Sequence, residues 1–207
     1  MSDDDRTDPL PQRRRSRAGE ASLIVVDVQE KLFVAIPSGP KVEANIGLLL
    51  DAADALDMPV TVTEHMAESI GPTRGPVTER LPKGAALIAK THFSGWDEPK
   101  VRAHLESLAA AGHGDFAICG LEAHVCVQQT ALGLLEAGHR VRIVADAAGS
   151  RDYEDRSLAL ERMRDAGCDI VSTEAIAFEW LERGDTPAFK KLLRTIRDRR
   201  PSDGGDA

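Results

Sequence analysis

The chain has 207 residues, 42% of them hydrophobic and 29% charged, with a formal net charge of −8. That length suits one domain with a sizeable core, and the apolar fraction excludes a mainly disordered chain. No stretch nears the roughly 20 apolar residues that cross a bilayer, and no apolar segment of an export signal follows Arg13-Arg14-Arg15, so a cytoplasmic protein is expected.

Residues 1–20 carry five bases and five acids with almost no large apolar side chain, and are expected to form a disordered tail. Ser22 to Val28 is short, apolar and rich in β-branched residues, which predicts a strand buried on both faces. Lys41 to Leu56 sets Val42, Ile46, Leu49, Leu50, Ala53 and Leu56 on one helical face. Further strands are predicted at Val60 to Thr63 and, after a Pro- and Gly-rich loop from Gly71 to Gly84, at Ala85 to Ala89. The helix Pro99 to Ala111 leads to a fourth strand, Phe116 to Cys119, and the helix Ala123 to Ala137 to a fifth, Val141 to Ala145. The helix Tyr153 to Ala166 precedes a sixth, Asp169 to Ser172. Two short helices, about Thr173 to Arg183 and Thr186 to Arg199, end a domain spanning 21–199, and 200–207 form a second disordered tail. Strands alternating with crossover helices imply an α/β fold of three layers, α-β-α, around a six-stranded, mostly parallel sheet.

Residues 21–189 carry 15 bases against 26 acids, whereas Lys190, Lys191, Arg194, Arg197, Arg199 and Arg200 make the end of the chain basic. The negative body argues against a nucleic-acid partner, and the basic run reads as the solvated face of a last helix. Three cysteines in a chain this long suggest no disulfide scaffold and one reactive thiol.

In a parallel sheet the ligand site lies beyond the carboxyl ends of the strands, near a switch in strand order. Those ends offer Asp27, Glu64, His65, Lys90 and the segment Gly120 to Cys126. Asp27 is a functional carboxylate or a loop acid, and Lys90 a site cation or a snorkelling edge residue. Cys126 falls in the first turn of a helix, where unpaired amides and the helix dipole favour a thiolate; its alternative is a small buried apolar residue, the reading given to Cys119 and Cys168. Together, a carboxylate to take the thiol proton, an ammonium and a cysteine make the parts of nucleophilic catalysis. A thiol redox protein is the weaker reading, because no C-x-x-C is present.

These residues resemble the isochorismatase-like cysteine hydrolases, a family that includes nicotinamidases. The resemblance is carried by Asp27-Val28-Gln29, by Lys90 with Phe93-Ser94 following, and by Gly120-Leu121-Glu122-Ala123-His124-Val125-Cys126-Val127; it extends through Ala145-Asp146-Ala147-Ala148-Gly149-Ser150-Arg151. It covers about residues 20 to 185 and is nearest the isochorismatase-domain hydrolases of unassigned substrate. It implies a Rossmann-like hydrolase fold with Cys126 as nucleophile, Asp27 as general acid/base and Lys90 as the group that polarises the pair. It further implies a cis Leu121–Glu122 peptide and an oxyanion hole from the amides of Glu122 and Cys126.

Phe33, Glu64, Trp96 and His124 are candidate pocket residues. The sequence Thr63-Glu64-His65 departs from the D-x-H metal motif of nicotinamidases, so no metal and no cofactor are expected. The expected activity is hydrolysis of a small amide, ureido or related acyl compound through a thioester. The alternatives are a nicotinamidase-type, metal-assisted amidase and a non-catalytic domain that binds a partner. A small-molecule substrate, no membrane and a homo-oligomer, dimer or larger, complete the expectation.

Overall fold

The computed structural model describes residues 15–198. Six strands, β1 (Ala21–Val26), β2 (Val60–His65), β3 (Ala86–Lys90), β4 (Asp115–Leu121), β5 (Arg140–Gly149) and β6 (Asp169–Val171), form one sheet in the order β3-β2-β1-β4-β5-β6. Every pairing is parallel. The order reverses between β1 and β4, the switch point at which such sheets bind ligands.

Helices cover both faces. Moving from β1 to β2 the chain runs through α1 (Glu30–Phe33) and α2 (Gly39–Ala55), and from β2 to β3 through the short helices α3 (Ala67–Ile70) and α4 (Gly75–Thr78). Moving the other way it uses α5 (Pro99–Ala110), α6 (Gln128–Glu136) and α7 (Tyr153–Asp165), and it ends with α8 (Thr173–Leu181) and α9 (Pro187–Asp198). Alternation along β1 divides the core. Leu23 and Val25 face Ile46, Leu49, Leu50 and Trp180 of α2 and α8, whereas Ile24 and Val26 face Leu105, Leu134 and Met163 of α5, α6 and α7. Right-handed crossovers require this segregation, because reversing direction along the sheet moves the helix to the other face.

The predicted strands all exist, and most extend beyond their predicted ends. β2 runs on to His65, β4 to Leu121, and β5 to Gly149 with an irregular register beyond Ile118. Hydrogen bonding continues into polar residues that composition alone assigns to loops. The predicted loop Gly71 to Gly84 contains α4, opened by a proline in its first turn.

The domain begins earlier than expected. Ser16 is buried, its N–H donates to Glu179 Oε2 at 2.7 Å, its hydroxyl donates to Asp115 Oδ2 at 3.0 Å, and Trp180 Nε1 donates to that hydroxyl at 3.0 Å. Asp115 also pairs with the buried Arg142 at 2.9 Å, so the segment before β1 closes a charged network that would otherwise meet water. Of the tail expected at 1–20, residues 1–14 lie outside the described residues, as does the tail expected at 200–207. Among the described residues no helix is long and apolar enough to cross a membrane.

Candidate active site

Asp27 follows the last residue of β1 and leaves the strand with φ at 51°, a left-handed turn that needs support for a non-glycine residue. Its N–H donates to the Thr63 carbonyl at 3.1 Å, and its Oδ1 accepts from the Thr63 hydroxyl at 2.7 Å. Parallel register sets Val26 beside Thr63, which brings that hydroxyl to the carboxylate. The other oxygen, Oδ2, pairs with Lys90 Nζ at 2.7 Å, and both side chains are fully buried. Lys90 Nζ donates also to the carbonyls of His92 and Phe93, each at 3.1 Å. The ammonium thus has two carbonyl acceptors and one carboxylate as counter-ion. Lys90 is therefore a buried cation and no snorkelling edge residue.

Cys126 stands in a π-helical turn, Ala123–Val127, that leads straight into α6. Such turns often mark functional sites. The turn is anchored from behind: the Thr130 hydroxyl donates to the Cys126 carbonyl at 2.7 Å and accepts from the Gly95 N–H at 2.7 Å. Burial pushes the Cys126 thiol up to about 12, the Asp27 carboxylate adds to the rise, and Lys90 opposes it. The helix start, like Lys90, favours the thiolate. Desolvation outweighs both, so the resting residue is a thiol. Cys119 and Cys168 are also buried with raised pKa values, mainly through desolvation.

A second expectation is corrected. Among the described residues no peptide bond is cis, so the Leu121–Glu122 bond is trans. The reversal from strand to π turn is made instead by Glu122, whose φ of 55° and ψ of 62° place it in the left-handed region. The oxyanion hole assigned to the amides of Glu122 and Cys126 rested on the cis bond and is not carried further.

The four pocket candidates have their own contacts. Phe33 lies beneath the Arg74 guanidinium, 3.9 Å from its ring centroid, and Arg74 pairs with Glu30 and Glu43 at 2.8 Å each. Glu64 Oε1 accepts from the N–H and hydroxyl of Thr73, at 2.6 and 2.7 Å, and so fastens the loop after β2. Trp96 packs on α6 at Gly133 and edge-on against His139, 5.3 Å between centroids. His124 sits among Ser150 Oγ at 3.1 Å, Glu122 Oε2 at 3.4 Å and Asp155 Oδ2 at 3.6 Å. A cavity of about 450 Å³ flanks the outer edge of β3 between Met66–Ser69 and Glu98, and of the three central residues only Lys90 lines it.

Sequence reasoning gave no role to Thr63, Gln29 or Phe93. Gln29 Nε2 donates to the His65 and Gly71 carbonyls at 3.1 and 2.6 Å, and its Oε1 accepts from the His65 N–H at 2.8 Å. Phe93 stacks on His65 with centroids 5.2 Å apart. Only strand pairing reveals these contacts, although the motif Asp27-Val28-Gln29 was a signal for Gln29. With Glu64 engaged by Thr73, no group of three or more His, Cys, Asp or Glu side chains among the described residues converges on a metal position.

Comparison with known proteins follows this geometry. The family model described as "Isochorismatase domain" matches residues 21–175. Isochorismatase domain-containing protein 2 of Xenopus laevis is 34% identical over 93% of this chain and 92% of its own length. The structure titled MAR1 ribonuclease from Caenorhabditis elegans superposes with a TM-score of 0.85 at 32% identity, over 94% of this chain and 98% of that one. The Escherichia coli ycaC gene product, titled an octameric hydrolase of unknown specificity, superposes with a TM-score of 0.78 at 25% identity, over 87% and 90%.

Proposed function

The chain belongs to the isochorismatase domain family, and from that premise we propose that it is a cysteine hydrolase of a small amide, ureido or related acyl compound. The observation that carries this reading is the fully buried Asp27–Lys90 pair, 2.7 Å apart, whose charges both act on the Cys126 thiol. A buried ion pair contributes little net stability over an apolar pair of the same size, so its place beside a cysteine is accounted for by chemistry.

With a thiol pushed up to about 12, the nucleophile is made during attack rather than stored. Asp27 takes the proton as sulfur bonds to the substrate carbonyl carbon, and the carbonyl π pair moves to oxygen. Collapse of that intermediate breaks the C–N bond, and the leaving amine receives the proton from Asp27. Asp27 then removes a proton from water as the water attacks the thioester; collapse of that intermediate breaks the C–S bond, releases the acid, and returns the proton from Asp27 to sulfur, which restores the thiol. Lys90, fixed by two carbonyls, holds Asp27 in place and keeps a positive charge beside the developing anions.

The name ribonuclease is that of a structural relative. This chain has a net charge of −8, which disfavours a polyanion. As for assembly, we extend the octameric precedent only to a homo-oligomer, dimer or larger, to be read by light scattering.

The test is a panel of small amides, carbamoyl compounds, nicotinamide and RNA, with mass spectrometry of the protein during turnover. Hydrolysis of a panel amide that survives chelator dialysis, an acyl adduct on Cys126, and a loss of at least about 10³-fold in Cys126→Ala are expected. Full activity in Cys126→Ala, or turnover of RNA alone, would overturn the reading.

A further inference from the structure

One buried polar atom beside the Asp27–Lys90 pair has no use in the chemistry above. Nδ1 of His65 is sealed from solvent and makes no hydrogen bond, in a residue only 7% exposed. A neutral imidazole carries its proton on one nitrogen, and in the Nε2–H tautomer Nδ1 is a bare acceptor. Burial and the nearby Lys90 cation lower the pKa of this histidine, so the ring is neutral. An acceptor shut away from water without a donor is a standing penalty, and native proteins keep few of them.

Gln29 grips the His65 backbone on both sides, through its N–H and its carbonyl. The cover over the ring is different in kind. Phe93 is 53% exposed and stacks on His65 at 34°. It binds Lys90 through its backbone carbonyl only, so its side chain can turn aside without releasing the ammonium.

We propose that His65, held as its Nε2–H tautomer, uses Nδ1 as a substrate-recognition atom, accepting a hydrogen bond from the N–H of an amide or ureido group whose entry displaces the Phe93 ring. This rests on the hydrolase reading and deepens it, for it names the feature that separates the substrate from an ester of the same shape. An ester oxygen would turn a lone pair toward Nδ1 where an amide offers a donor. A site built around a buried acceptor rejects the analogue that lacks the donor.

The test uses covalent labelling, which needs no turnover. Acrylamide carries the N–H groups and methyl acrylate lacks them. Their rates of reaction at Cys126, each divided by its rate with glutathione, give a ratio that reads recognition of N–H. His65→Phe keeps an aromatic ring and removes the acceptor; the ratio is expected to fall about tenfold, the worth of one neutral hydrogen bond. His65→Gln, which returns an acceptor, is expected to recover most of it. Phe93→Ala is expected to speed both reagents and keep the ratio. An unchanged ratio in His65→Phe with wild-type near-UV circular dichroism, or a Gln variant as poor as the Phe variant, would overturn the proposal. Hydrolysis of the amide panel is measured apart: its absence sinks the hydrolase reading, while the labelling ratio still decides what His65 recognises.

Discussion

Asp27 and Lys90 pull the Cys126 thiol in opposite directions, the carboxylate raising its pKa and the ammonium lowering it. Reactivity toward an alkylating agent and hydrolytic activity should therefore separate on mutation. Asp27→Asn removes a charge that disfavours the thiolate, so iodoacetamide at pH 8.5 should label Cys126 faster than in wild type, while hydrolysis is lost with the proton acceptor. Lys90→Met should label more slowly and should also destabilise the fold by about 3–5 kcal/mol, because it leaves Asp27 as an uncompensated buried charge. Peptide mapping over time checks both signs. If Cys119 or Cys168 were labelled ahead of Cys126 in folded protein, the nucleophile would be misassigned.

At the scale of elements, the site depends on how closely β1 and β4 approach at their carboxyl ends. Val26 pairs with Gly120, whose φ is 138°, and a Cβ added there would run into the Val26 backbone. Backbone cannot retreat as a flexible side chain can. Gly120→Ala should accordingly cost more than about 3 kcal/mol, from strain and collision together, read as a lower urea midpoint. Because Asp27 and the π turn leave from these two strand ends, the variant should lose activity even where it still folds. The four candidate pocket residues each have contacts of their own. Phe33, Trp96 and His124 lie on segments that leave the sheet and follow local packing, as Trp96 does in settling on α6 at Gly133, whereas Glu64 belongs to β2 and is engaged by Thr73.

For the whole molecule, burial of histidines sets a direction for pH dependence. His65 and His139 both have lowered pKa values, mainly through desolvation. The unfolded chain binds a proton at each near pH 6.5 and the folded chain does so only at lower pH. Stability is therefore fully present above about 6.5 and falls as pH drops, by up to about 1.4 kcal/mol per unit for each histidine. His139→Leu, at a site packed between Trp96 and Phe116, should flatten the loss between pH 7 and 5 in urea titrations. A slope identical to wild type would show that His139 takes up its proton over the same pH range in the folded and the unfolded chain.

The sequence by itself determined the α/β class and the six strands, and it singled out Asp27, Lys90 and Cys126 as candidates, which the fold brings together. Buried strands announce themselves through β-branched runs such as Leu23 to Val26, and the strand ends carry Asp27, Lys90 and the segment leading to Cys126. Boundaries were less legible because hydrogen bonding continues past the apolar run, as in β5, which reaches Gly149. The tertiary structure alone decided three things. It set the strand order that brings β1 and β4 together, since pairing depends on contacts far apart in the chain. It set the sign of the Cys126 pKa shift, since desolvation depends on everything packed around the sulfur. And it left His65 with an unpartnered nitrogen under Phe93, because whether a donor reaches an atom is a property of the space around it and is written in no local stretch of sequence.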